Sequence, residues 1–299
     1  MIKNWISYNF WKYQLAKIMT KISVIIPIFN TEMFVQQCLK SVVEQTYKDI
    51  EIICVNDCTK DSSIKIIEEF QDDRIKIIHH KENLGLAKAR NTGLSNANGE
   101  YVFFLDSDDF IEETILEKLL NEIEKTNVDM VFSRVNVFPD EKENNKKAKI
   151  LERYFNSKKM LKNIEINEKN FKNALSYFPV VAWGKLYRTS FLKENNIRFI
   201  DKNIVHEDDG FYVKIMSRYP KIACIEDVGV NYRIRKNSIV SKINKNKNEE
   251  DLKASLEDSF DFIKDERIIK KVKYSKIYFR YFNKFFKACC KLKEVFRCF

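Results

Sequence analysis

The chain has 299 residues, 44% of them hydrophobic and 32% charged, the composition of an ordinary folded globular protein and not of a disordered or fibrous one. That length is enough for a full core in one large domain, or one domain with a smaller appendage. The formal charge of +10 is uneven: Lys264 to Phe299 carries twelve Lys and Arg against three Asp and Glu, a net of +9 that leaves about +1 for everything before it.

No apolar run approaches the roughly 20 residues that span a bilayer. The opening MIKNWISYNFWKYQLAKIMT is broken by Lys3, Asn4, Asn9, Lys12 and Gln14, so it lacks the continuous apolar stretch and small-residue cleavage site of a secretory signal; the expected location is the cytoplasm. Seven cysteines at irregular spacing argue against a disulfide framework. Cys54 and Cys58 are four apart and Cys289 and Cys290 adjacent, and the three histidines give a zinc site little support.

In chain order, Ile22 to Ile26, Ile50 to Val55, Ile75 to Ile78 and Tyr101 to Leu105 read as strands. Helical stretches near Glu32 to Gln45, Ser62 to Gln71 and Leu86 to Ala97 lie between them. This alternation predicts right-handed βαβ units and a parallel sheet with helices on both faces. Ligands in such sheets bind at the carboxyl ends of the strands, and polar clusters fall there each time: IIPIFN, VNDCTKD, HHKENLGLAKARN and LDSDD. A helix at Glu113 to Lys125 and a strand at Asp129 to Phe132 follow. Pro139 to Lys149 reads as a solvated loop, and a second region carries VVAWGKLYRTSFL, VHEDDGFYVKIM and the strand-like KIACIEDVGVNYRIR.

The run YVFFLDSDDF poses a physical problem. A strand apolar enough to be buried ends in Asp106, Asp108 and Asp109, whose repulsion and partial desolvation would raise their pKa values and cost stability unless a cation sat beside them.

Taken together, SVIIPIFN, VNDCTKDSS, NLGLAKARNTGL, FFLDSDD, WGKLYR, EDDGF and YRIRKNS, in this order over about Lys21 to Ser241, resemble the family-two glycosyltransferases. The resemblance implies an α/β GT-A-type, Rossmann-like and mostly parallel sheet with flanking helices. It divides the chain into an N-terminal extension (1–20) and a catalytic domain (21–241) with a nucleotide-binding half of about 21–135 and an acceptor-side half of about 160–241. A C-terminal helical extension (242–299) follows. Relatives commonly begin almost at their first strand, which makes Met19 the expected start.

By the same resemblance the protein is an inverting, metal-dependent enzyme. It would move a hexose or N-acetylhexosamine from a UDP-sugar to a hydroxyl of a glycan or lipid-linked glycan in bacterial capsule, lipooligosaccharide or O-antigen synthesis. Manganese or magnesium, which favour carboxylate and phosphate oxygens, would answer the acidic strand end. Asp108 is then the direct ligand, with Asp106 contributing to the metal site and contacting the ribose or donor sugar, and Asp109 supporting the turn. Pro27, Phe29, Asn30 and Thr31 would form the base pocket, with Phe29 stacking on the ring. Asp57 would accept from the uracil imide N–H, in a turn where relatives usually have glycine in place of Cys58. Arg90 would face the pyrophosphate or hold Asp106. Ser107, Arg233, Arg235 and Ser238 would line the diphosphate.

Asp208 matches the general base, and Glu207 would orient it or a sugar hydroxyl; Trp183 and Lys185 would line the acceptor side. No histidine near Ser238 offers a third metal ligand. The competing reading is a nucleotide- or sugar-binding protein of the same fold without turnover. A sugar nucleotidyltransferase is disfavoured because PIFNTEMF lacks a glycine-rich loop.

The tail places Ile277, Tyr281, Phe285, Cys289, Leu292 and Phe296 on one helical stripe with Arg280, Lys284, Lys287 and Lys291 away from it. Such a helix either lies on an anionic membrane, making the protein peripheral on the inner face, or packs against the catalytic domain or a second copy. No nucleic-acid recognition motif accompanies it.

Overall fold

The computed structural model describes residues 20–140, 145–156, 163–235 and 245–275. Residues 1–19, Ser238 and the tail stripe from Ile277 to Phe296 lie outside the described residues.

Four strands lead the fold as the alternation predicts: β1 (Ile22–Ile28), β2 (Ile50–Asn56), β3 (Ile75–His79) and β4 (Tyr101–Phe104). They run parallel in the order β3-β2-β1-β4, linked by α1 (Val35–Val43), α2 (Ser63–Glu68) and α3 (Leu86–Asn96). β1 and β2 are buried along their whole lengths, as strands covered on both faces must be. Pro27 lies inside β1, where a missing N–H would normally break a ladder. It is tolerated because β1 pairs with β4 only through Ile22 to Ile25. The proline falls past the end of β4, beyond the last paired residues of the two strands.

Beyond β4 the pairing becomes mixed. β8 (Lys185–Arg188) lies antiparallel between β4 and β6 (Met130–Pro139), and β9 (Lys221–Ile234) runs parallel to β6. The short β5 (Phe110–Ile111) and β7 (Ile164–Glu165) pair antiparallel with β9. α4 (Ile115–Thr126) buries Ile115, Leu116, Leu119, Leu120 and Ile123, an apolar stripe at three- and four-residue spacing. It stops at Asn127 in the left-handed region. Smaller helices α6 (Phe171–Ala174) and α7 (Thr189–Glu194) flank the second half.

One segment departs from its sequence reading. The solvated loop expected up to Lys149 is, from Asn145, the start of α5 (Asn145–Phe155). Ala148 and Phe155 are buried and Leu151 partly so, at helical spacing, but a window closed at Lys149 sees only the charged first turn.

α3 packs tightly on β1. A Cβ on Gly93 would lie 2.3 Å from Ile25 Cγ2, so only glycine permits this approach, and the buried Ala89, four residues earlier, keeps the same side of the helix small. The close seat drives Arg90 into the interior, where it is 1% exposed.

α8 (Glu207–Met216) is buried at nearly every position. It is held by α9 (Lys245–Ile263), the first helix of the segment that the sequence reading assigns to the tail; α10 (Glu266–Lys273) follows. Ser255 Oγ accepts from Gly210 N–H at 2.8 Å and donates to the His206 carbonyl at 2.7 Å. Lys214 pairs with Asp258 at 2.5 Å. Among the described residues no helix is long and apolar enough to cross a membrane.

A Cβ on Gly210 would lie 2.3 Å from the Ser255 carbonyl oxygen. Gly210→Ala is therefore expected to force α8 and α9 apart and lower stability by about 1–3 kcal/mol. Urea unfolding of the variant beside the parent measures this.

Candidate active site

The loops at the carboxyl ends of β1 and β2 are braced to each other before any ligand is considered. Asn30 N–H donates to Thr59 Oγ1 at 2.8 Å, Thr31 N–H to Ser63 Oγ at 3.1 Å and Glu32 N–H to Asp61 Oδ2 at 2.8 Å. Asn30 and Cys58 both hold left-handed backbones, φ 53 and 59, so Cys58 makes the turn that glycine would make. Phe29, at the tip, is 39% exposed and available for ring stacking.

Asp57 is engaged within the protein. Its Oδ1 accepts from Leu84 N–H and lies 2.8 Å from His80 Nδ1, while Oδ2 accepts from Gly85 N–H at 2.8 Å. This carboxylate therefore ties β2 to the loop that launches α3.

The centre is Arg90. Its Nη1 donates to Glu207 Oε1 at 2.7 Å and to Asp208 Oδ1 at 2.8 Å, and its Nη2 to Asp106 Oδ1 at 2.7 Å. Three carboxylates from the end of β4 and the start of α8 thus share one buried guanidinium, whose positive form they strongly favour. Asp208 Oδ2 also accepts from the Ala182 N–H at 3.1 Å. Burial and the Asp208 charge push Glu207 up to about 7 against the pull of Arg90. Burial likewise raises Asp208.

Two further arginines answer the rest of the acidic turn. Arg235 Nε donates to Asp108 Oδ2 at 2.6 Å; Arg233 donates from its backbone N–H to Asp109 Oδ1 at 2.7 Å and from Nε to the Asp108 carbonyl at 3.0 Å. Both guanidiniums stand over the Phe34 ring, at 5.0 and 5.3 Å. The cation demanded by LDSDD is thus supplied in part by the protein itself. The supply is incomplete: burial raises Asp108 and raises Asp109 well above its ordinary value, and Asp109 Oδ2 is buried with no hydrogen-bond partner among the described residues.

Oxygen-only donors short of positive charge suit a hard divalent ion, and Asp108 and Asp106 are the residues that would hold one together with phosphate oxygens. Among the described residues no group of three or more His, Cys, Asp or Glu forms a ready-made cage.

Trp183 and Lys185 sit elsewhere than an acceptor surface. The indole is 4% exposed and stacked on Tyr232 at 5.2 Å and 6°, so its face is taken. Lys185 is 2% exposed, its ammonium turned to the Pro179 and Val181 carbonyls. Ser107 and Pro27 are buried beneath the cleft. The sequence reading missed Phe34, Gln37, Tyr187 and Ala182. Gln37 accepts from Arg233 Nη2 at 2.6 Å, and Ala182 acts through its backbone, for which no residue pattern exists.

A parallel half-sheet whose carboxyl ends carry an acidic, arginine-braced cleft, continued by a mixed half-sheet, defines a GT-A-type nucleotide-diphosphosugar fold. Residues 23–192 match the model of the family described as glycosyl transferase family 2, and the chain belongs to that family. It is 36% identical over 223 residues to glycosyltransferase GlyA of Streptococcus pneumoniae, an alignment covering 73% of this chain and 31% of that one; the chain thus spans under a third of that curated relative. The crystal structure of S. aureus TarS 1–349 with UDP-GlcNAc superposes with a TM-score of 0.65 at 22% identity, over 86% of this chain and 74% of that one. The mannosyltransferase PcManGT of Pyrobaculum calidifontis, in complex with GDP-Man and Mn2+, gives a TM-score of 0.57 at 15% identity over 91% of this chain and 75% of that one.

Replacing Arg90 by methionine strands three carboxylates and is expected to cost about 3–5 kcal/mol at neutral pH. Without the guanidinium the folded-state pKa values of Glu207 and Asp208 rise further above their unfolded values. The fold then binds more protons than the unfolded chain, so stability falls as pH rises. The deficit of R90M relative to the parent should be smallest near about pH 5 and grow toward about pH 8, which urea titrations across that range measure.

Proposed function

We propose that the protein is an inverting glycosyltransferase that moves a hexose or N-acetylhexosamine from a UDP-sugar to a hydroxyl of a bacterial surface glycan or its lipid-linked precursor. The observation that carries the reading is Arg90, which brings the strand-end Asp106 and the Glu207–Asp208 pair, more than a hundred residues apart in sequence, into one cluster.

Asp208 acts as general base. Its two oxygens are each fixed by one donor, Arg90 and the Ala182 N–H, and a carboxylate retains further lone pairs for an acceptor hydroxyl. As the acceptor oxygen bonds to the anomeric carbon, its proton passes to Asp208 and the bond from that carbon to the diphosphate oxygen breaks on the opposite side. UDP leaves and the anomeric centre inverts. An ordinary aspartate, near ~3.9, is a weak base; the raised value of Asp208 brings it nearer the pH at which it must work. Glu207 shares the guanidinium and orients the pair.

On the donor side, Phe29 offers a ring to the uracil. Asp57 has three of its roughly four acceptor sites occupied, which leaves capacity for one imide N–H. Arg235 and Arg233 face the diphosphate beside Asp108. A divalent ion bound by Asp108 and Asp106 would supply positive charge where the leaving group develops negative charge; the Mn2+ of PcManGT supports that choice. The net +9 from Lys264 onward supports attachment to an anionic membrane face, where lipid-linked acceptors reside.

A screen of UDP-sugars for manganese-dependent UDP release tests the reading. Asp108→Ala is expected to lose metal and donor binding. Asp208→Asn should keep UDP affinity and lose about 10²–10⁴-fold in transfer rate. Full activity in D208N would overturn the base assignment. Tight UDP binding with no turnover on any donor would favour the binding-protein reading.

A further inference from the structure

Lys185 is a buried cation that the mechanism so far does not use. Its ammonium donates to the Pro179 carbonyl at 2.9 Å and to the Val181 carbonyl, and lies over the Phe132 ring at 4.5 Å and the Tyr212 ring at 5.6 Å. Two residues on, Tyr187 Oη donates to the Ala182 carbonyl at 2.9 Å. Alternate residues of a strand share a face, so β8 turns both groups toward the same 179–182 turn. The N–H of that turn's last residue, Ala182, holds Asp208 Oδ2.

We propose that Lys185 is a positioning residue for Asp208: by pinning the carbonyls of Pro179 and Val181, its buried ammonium fixes the turn that presents the Ala182 N–H to the carboxylate. The assignment deepens, and rests on, the reading of Asp208 as the base.

Burying an ammonium without a carboxylate partner is costly, and burial lowers Lys185 to about 7. A chain that needed only to hold a turn could do so with a neutral donor. The charge has a second effect, because Lys185 favours the ionised form of Asp208. The other groups facing that carboxylate are Arg90 from α3, Asp106 from the end of β4, Tyr187 from β8 and its neighbour Glu207. Arg90 favours ionisation and both carboxylates oppose it. Removing the Lys185 charge therefore moves the Asp208 titration upward, and removing its hydrogen bonds frees Ala182.

The test needs no substrate. The Asp208 carboxyl is titrated by carbon-13 NMR and Ala182 amide exchange is followed in the full-length protein, with UDP affinity as the check on integrity. Lys185→Met is expected to shift the Asp208 midpoint upward and speed Ala182 exchange by about tenfold or more, with UDP affinity within about threefold of the parent. Lys185→Gln keeps hydrogen-bond donors without charge. It should retain most of the Ala182 protection yet still shift the midpoint, and it carries the test if K185M does not fold. Parental midpoint and exchange in the folded variants would overturn the proposal. That outcome is distinct from failure of the base reading, which appears as full transfer activity in D208N with the Lys185 effects intact.

Discussion

The buried guanidinium of Arg90 is the constraint around which the rest is arranged. It reaches the interior only because α3 lies against β1 at a distance that no side chain at position 93 would permit. It is tolerable there only because Asp106, Glu207 and Asp208 converge on it. Removing one partner from such a group leaves an uncompensated buried charge. The pairing therefore welds three separate pieces of chain, α3, the end of β4 and the start of α8, into a single acidic wall.

That wall needs support from behind, which comes from the region past residue 245. α8 is buried almost throughout and its first turn carries Glu207 and Asp208, so any slip of the helix would displace the carboxylates. Ser255 on α9 satisfies Gly210 N–H and the His206 carbonyl together, and Asp251 accepts from Val205 N–H. α9 is therefore joined to the helix that carries the acidic pair. A boundary drawn at 242 from the extent of the resemblance separates it from the helix it holds.

The parallel half of the sheet was legible because its signals are local. Periodic apolar runs and crossover-length helices specify the parallel strands, and each polar cluster falls at a strand end as the topology requires. Arg233 near the end of β9 and Arg235 just past it were singled out by the resemblance as diphosphate residues, but their joint approach to LDSDD is seen only in the fold. The partnership of Arg90 with Glu207 and Asp208 had none, being a tertiary pairing across more than a hundred residues. Trp183 and Lys185 show the opposite failure. A motif marks them, but burial turns the indole onto Tyr232 and the ammonium onto backbone carbonyls, a choice that packing makes and spacing does not encode.

Charge count sets the final condition on the cleft. Asp106, Asp108, Asp109, Glu207 and Asp208 are five carboxylates; Arg90 and Arg235 bond them through their guanidiniums, and Arg233 adds a third positive charge beside them, its backbone N–H on Asp109 and its Nε on the Asp108 carbonyl. Fully ionised, the cluster carries an excess of two negative charges, and Arg233 is shared further with Asp140. Burial, with repulsion among the carboxylates added to it, raises Glu207 to about 7 and raises Asp108 and Asp109 as well, so protonation offsets part of that excess. On the proposed reading a diphosphate brings more negative charge to the same place, where a proton on Asp108 would be the wrong compensation, since it removes a ligand the metal needs. A divalent cation offsets an excess of two while leaving every carboxylate ionised, so nucleotide and metal are expected to bind each more tightly in the presence of the other. The acidic strand end that is a liability in the isolated sequence would in this way couple donor binding to its counter-ion on the proposed reading.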